Sequence, residues 1–148
     1  MEKTFVRVHS IKDTVVFISL LALGGILVAI PASDAVNITG FFLLFAGAIL
    51  ALVLKNGYKD VETAEKYHKK ERYFQQTMHT TIANAIASKP DSIDLSEENK
   101  GNAIKLDIYY SKATGKAYIQ LFEYVPYTYQ PCSKMYEYDL SKVNKLIR

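Results

Sequence analysis

The sequence predicts a membrane α-helical hairpin, built from two transmembrane helices, followed by a small cytosolic α+β domain of order α-β-β-β-α with an antiparallel sheet. Three observations lead there: an early stretch almost free of charge, a tyrosine-rich remainder, and apolar residues alternating with polar ones late in the chain. Residues 14–54 carry one charged side chain, Asp34, whereas all 11 tyrosines lie at or beyond Tyr58. A soluble domain mixes such residues along its length, so the expected division is 1–57 for the N-terminal tail and hairpin and 58–148 for the connecting helix and cytosolic module.

The spans are placed at residues 14–30 and 38–54. Roughly 17–25 apolar residues cross a hydrocarbon core as a helix. The linker PASDAVNIT, residues 31–39, holds Pro31, Ser33, Asp34 and Asn37, which favour turns. Lys3, Arg7 and Lys12 precede the first span, and Lys55, Lys59, Lys66, Lys69, Lys70 and Arg72 follow the second, while the linker has neither Lys nor Arg. Positive residues stay on the cytoplasmic side. Both termini are therefore expected in the cytoplasm, with the hairpin in a bacterial inner membrane. The rival is a cleaved signal peptide with Lys3 and Arg7 as its basic end. Its apolar stretch would be long, Pro31 and Ala32 make a poor cleavage site, and a second span follows at once.

Gly25 and Ala29 lie four apart, as do Gly47 and Ala51. Small residues at that spacing let helices approach closely, within the hairpin or between subunits, although Gly and Ala are also common in any membrane helix. No ionisable group falls inside either span, which argues against a transporter or selective channel.

Beyond a break at Lys55-Asn56-Gly57, residues 59–88 read as one helix that stops before Pro90, with Tyr67, Phe74, Met78, Ile82 and Ala85 or Ile86 on one face. Residues 89–102 read as a loop. Ile104, Leu106, Ile108 and Tyr110 alternate with Lys105, Asp107 and Tyr109, which predicts a half-buried strand. A turn over 111–116, a partner strand over 117–125, an irregular corner around Pro126 and Pro131, and a third strand over 134–138 follow. Asp139 is placed to cap a last helix with Leu140, Val143 and Ile147 on one face. A module of about 90 residues buries a modest core, so a homo-oligomer is expected, a tetramer being one candidate size.

Neither a catalytic nor a cofactor motif is found, and the expectation is a non-enzyme without a metal site. His68 and His79 are eleven residues apart, about three turns on a helix, too far to share an ion. Cys132, the one cysteine, has no His or basic cluster beside it in sequence and reads as structural. Glu123 and Glu137 are a candidate acid–base pair across neighbouring strands. The informative feature is tyrosine: Tyr109, Tyr110, Tyr118, Tyr124, Tyr127, Tyr129, Tyr136 and Tyr138 are interleaved with Lys105, Lys112, Lys116 and Lys134. Aromatic faces stack on bases while ammonium groups meet phosphates. Equally, tyrosine is a good strand residue that covers a sheet or docks a protein. On the first reading Lys105, Lys116 and Lys134 would contact phosphate and Tyr124, Tyr127 and Tyr129 would line the pocket. The corner VPYTYQP is the expected recognition loop on either reading.

In layout the chain resembles the CRISPR-associated membrane effectors of bacterial antiphage defence that are gated by cyclic oligoadenylate. The resemblance rests on residues 14–30 and 40–54 and on the Lys and Tyr content after Ile104, and carries no specific motif. It implies an oligomer in the lipid bilayer whose cytosolic domain binds a cyclic oligonucleotide second messenger and whose spans then alter the membrane. The alternative is a non-catalytic membrane anchor or accessory subunit that docks a cytosolic protein through its tyrosine-rich sheet.

Overall fold

The structure, a computed structural model, describes residues 3–99 and 101–148 and divides into two compact units. The first unit, Arg7–Tyr58, contains α1 (Ile11–Ala29) and α2 (Asp34–Val53), both long and apolar enough to cross a membrane. Their outward side chains find no cover among the described residues: Phe41, Phe42, Phe45 and Leu52 are 62–76% exposed, which a core helix of a soluble domain would not tolerate.

Polar hydrogen bonds close this unit at both ends. The Asp13 amide donates to Ser10 Oγ at 3.1 Å and the Asp13 carboxylate accepts from the Ser10 amide at 2.9 Å, a reciprocal cap that starts α1 three residues earlier than expected. The same buried carboxylate takes the Asn56 amide and side-chain N–H groups, each at 2.7 Å, and so ties the start of α1 to the segment leaving α2. At the other end Asn37 Nδ2 donates to the carbonyls of Leu27 and Ile30, at 2.8 and 3.2 Å.

The helices meet at Gly24 and Gly40. A Cβ on either would stand 2.8 Å from the other's carbonyl oxygen, so only glycine permits this approach. Gly47 packs on Leu21 in the same seam, and Ala51 is half-buried. Gly25 has open space around its Cα and Ala29 is exposed, so within the hairpin the expected Gly25 and Ala29 pair is not at the seam. The contact runs one residue away, through Gly24.

The second unit joins the segment before the hairpin, up to Val6, to everything from Lys59 onward. Among the described residues the strands are β1 (Phe5–Val8), β2 (Gly57–Asp60), β3 (Lys66–Phe74), β4 (Ile104–Ser111), β5 (Lys116–Val125), β6 (Thr128–Pro131) and β7 (Tyr136–Asp139). They form a sheet in the order β1-β2-β3-β4-β5-β6, with β7 on the same edge of β5 as β6. The helices are α3 (His79–Ser88) and the short α4 (Asn144–Ile147).

The expected helix over 59–88 is corrected by this topology. Only its last third is helical; Lys66–Phe74 is a strand, antiparallel to β4 from His68↔Tyr110 to Phe74↔Ile104. The charged run KYHKKERYF suits a helix surface locally, but here its alternate residues are used on two faces. Arg72 and Phe74 point into the core, while Tyr67, Lys69, Glu71 and Tyr73 line the opposite face. Burial of Phe74 and pairing with β4 outweigh helix propensity, which is a weak prior. The histidines are separated accordingly, His68 in β3 and His79 at the head of α3.

The hairpin of β4 and β5 stands as read, with Gly115 at φ +70 in its turn. Ile104, Leu106 and Ile108 pack with Ala117, Ile119 and Leu121 against Ile82 and Ile86 of α3 and against Val143 and Leu146, all fully buried. The region read as an irregular corner contains β6, because Pro126-Tyr127 makes a two-residue turn rather than a long loop. Asp139 makes no side-chain cap to the turn at Leu140–Lys142; its carboxylate accepts instead from Lys116, at 3.2 Å. Glu137 stands opposite Tyr118, five residues along β5 from Glu123 and on the other face, so the pairing of these two carboxylates is corrected too.

Candidate functional site

The face of the sheet opposite the core gathers aromatic and charged side chains in rows across β3, β4 and β5. The register sets Tyr73, Lys105 and Phe122 in one row, Glu71, Asp107 and Gln120 in the next, and Lys69, Tyr109 and Tyr118 in a third. Phe5 of β1 adds its ring, stacked on Tyr109 at 4.2 Å and edge-on to Tyr67 at 5.0 Å.

Asp107 lies at the middle of this array, 3% exposed. Lys69 Nζ is 3.4 Å from its Oδ2 and Lys105 Nζ 3.5 Å from its Oδ1, which accepts no hydrogen bond from the described residues. Lys69 also pairs with Glu71 at 2.8 Å, and the Tyr73 hydroxyl donates to Glu71 at 2.9 Å. Lys105 Nζ sits 5.0 Å from the ring centres of both Phe122 and Tyr129, the distance at which an ammonium is held by aromatic faces. Two lysines thus face two carboxylates, and the array is formally neutral.

Burial pushes the Asp107 carboxyl above the usual carboxylate range, against the pull of Lys69 and Lys105. Glu71 goes the other way: burial opposes its charge, but Lys69 and the Tyr73 hydroxyl hold it low. Burial and then the bond to Glu71 push the Tyr73 hydroxyl up to about 12. The opposite shifts set a sign for pH dependence. A carboxyl raised above its unfolded value of roughly 3.9 favours the fold below that pH and loses the contribution as pH rises through the folded value. One held low favours the fold above its unfolded value and loses that as pH falls. Asp107→Asn is therefore expected to raise stability at neutral pH and steepen the loss of stability on acidification. Urea unfolding of both proteins across the acidic range checks this; parallel pH curves would show that Asp107 is not strained by burial.

Of the residues expected to bind a ligand, the structure brings Lys105, Tyr129 and Tyr124 together. Tyr129 and Tyr124 rings are 5.4 Å apart, and the Tyr129 hydroxyl donates to the Asn102 carbonyl at 2.9 Å. Tyr127 is the tip of the β5–β6 turn, at φ +71 and 98% exposed, its amide donating to the Tyr124 hydroxyl at 3.2 Å. Lys116 is not part of the group. It lies opposite Ser111, six residues along β4 from Lys105 and so about 20 Å away, engaged by Glu137 and Asp139. Lys134 stands apart as well, after β6, with its ammonium 5.1 Å from the Tyr136 ring. The reading of sequence missed Lys69, Glu71 and Asp107. The sequence sets the first two on a helix and the third on a solvent face; only the pairing of β3 with β4 brings lysines from two strands to one carboxylate.

Burial and then the charge of Glu123 push the Cys132 thiol up, which disfavours it as a nucleophile. No family model, curated protein or solved structure matches the chain.

Proposed function

We propose that this chain is a two-pass membrane protein whose sheet domain is a non-catalytic docking module for a cytosolic protein. The observation that carries the docking role is the β5–β6 hairpin tip. It presents Tyr127 at 98% and Tyr124 at 52% exposure on a turn stiffened by Pro126 and by the bond between the two tyrosines. Large aromatic anchors already held in place lose little freedom on binding and dominate interface energetics. The apolar outer surface of α1 and α2 supports insertion in lipid. The segment up to Val6 and the chain from Lys59 onward belong to one folded unit, which supports placing both on one side of the bilayer. The lysines and arginines that flank the helices, and their absence from residues 31–39, support taking that side as the cytoplasm.

The rival is the oligomeric effector gated by a cyclic oligonucleotide in antiphage defence. It draws support from Lys105 beside Tyr129 and Tyr124, and is weakened by the compensation of Lys69, Lys105 and Lys116 by carboxylates. Phosphate binding needs cations with charge to spare.

A photoreactive residue placed at Tyr127 in the full chain in cells is expected to give one discrete adduct with a cytosolic protein, absent when the probe is at Lys112. Substituting Tyr124→Ser should weaken the interaction by about 2 kcal/mol or more, roughly thirtyfold, with little response to salt. No adduct at Tyr127, together with a saturable and salt-sensitive heat when cyclic oligoadenylates are titrated into the detergent-solubilised protein, would replace this reading with its rival.

A further inference from the structure

Three side chains of metal-binding type, distant in sequence, converge at one end of the core face. His79 is the first residue of α3, Glu123 lies in β5 opposite Ile104, and Cys132 follows β6, where its amide donates to the Leu121 carbonyl at 2.9 Å. One imidazole nitrogen, one carboxylate oxygen and the thiol sulfur all lie within 4.8 Å of one another, and all three residues are half-buried. Three separate elements supply them, so their meeting is a product of the tertiary fold. Gln130 Nε2 donates to Glu123 Oε1 at 3.4 Å, an outer contact of the kind that orients a ligating carboxylate. Among the described residues the His79 imidazole makes no hydrogen bond of its own.

We propose that His79, Glu123 and Cys132 form a zinc-binding site. Sulfur and imidazole donors exclude magnesium and calcium, which take oxygen, and an N, O, S set suits a borderline-soft divalent cation. Zinc holds such ligands at about 2.0–2.3 Å, which draws the three donors to within about 4 Å of one another. Movements on the order of an ångström complete the geometry from the separations observed. The charges also balance: one thiolate and one carboxylate face one divalent cation, with a neutral imidazole. Three protein ligands leave a fourth position for water or an incoming donor. On the protein the ion joins the start of α3 to β5 and to the link between β6 and β7. The site is independent of the docking tip.

The full chain, purified in detergent without a polyhistidine tag, is titrated with Co²⁺ and then with Zn²⁺. The expected result is one equivalent of cobalt with a sulfur-to-cobalt charge-transfer band and the intense visible bands of four-coordinate cobalt, both displaced by zinc. Cys132→Ser should lose the charge-transfer band. His79→Gln and Glu123→Gln should each weaken zinc binding about tenfold or more, because even outer-shell changes cost that much. His68→Gln, in β3, should leave binding unchanged. Added zinc should raise the midpoint of thermal unfolding of the parent chain and not of Cys132→Ser. Absence of the cobalt spectrum from protein with intact near-ultraviolet circular dichroism would overturn the proposal. So would equal affinity in the isosteric Glu123→Gln chain, which keeps the test decisive should Cys132→Ser not fold.

Discussion

Replacing Arg72 with methionine is expected to destabilise the sheet domain by about 2–4 kcal/mol, since the buried Leu146 carbonyl left without a donor costs about 1–3 kcal/mol and the lost charge-assisted bonds add to it. Arg72 is 7% exposed and ties β3 to two other parts of the domain, the α4 segment and the loop carrying Glu98. Its Nε donates to the Leu146 carbonyl at 2.6 Å, its second terminal nitrogen donates to the Arg148 carbonyl at 2.9 Å, and its first pairs with Glu98. Methionine fills much of the volume and supplies none of these bonds. Leu146, fully buried, would lose the hold on its backbone, and the loop carrying Glu98 would lose its cation. Arg72→Lys keeps the charge but not the forked donors, so it should recover less than half of the loss. Urea unfolding followed by tyrosine near-ultraviolet circular dichroism measures both. A loss below about 0.5 kcal/mol, typical of a surface change, would mean that the carbonyls find other donors.

In the apolar hairpin the largest effect is expected at Gly40. A side chain there meets the Gly24 carbonyl oxygen and the Val28 amide at 2.8 Å, both backbone atoms that no rotamer change can move aside. Carbon atoms settle at about 3.5–4.0 Å, so Gly40→Val should push the helices about 1–3 Å apart. Gly24→Val should do the same from the other side. Gly25→Val, with nothing within 4 Å, should leave the spacing unchanged. Spin labels at the exposed Val16 and Leu52 report the separation in detergent or bilayers. Equal distances in the three variants would show that the helices do not meet at Gly24 and Gly40.

The parts legible in sequence are those whose signal is local. The apolar runs mark both hairpin helices because their composition alone distinguishes them. The β4–β5 hairpin is marked by alternation from Ile104 to Tyr110 and by the turn at Gly115. The strand β3 is not legible, since its charges are spaced as well for a helix as for two faces of a sheet. What decides is the register with β4, set by residues 30–42 positions later. Likewise Pro126 suggests an irregular corner until Thr128 is seen opposite Val125. For the candidate site, residue type pointed to Lys105, Tyr124 and Tyr129, but charge compensation by Asp107 and Glu71 is visible only once β3 lies beside β4. His79, Glu123 and Cys132 are forty-four and nine positions apart, and no motif spacing relates them.

The membership of Lys3 through Val6 in the sheet unit has a consequence for biosynthesis. This segment is translated before α1 and α2, yet the rings that receive Phe5, those of Tyr67, Tyr109 and Tyr118, are translated after them. Asp60, 1% exposed, likewise waits on Lys3, whose ammonium reaches it at 3.0 Å. Strand β1 must therefore stay unpaired while the two apolar helices and then the remaining strands emerge. Only then can it close the domain, as a latch fitted after the door is hung.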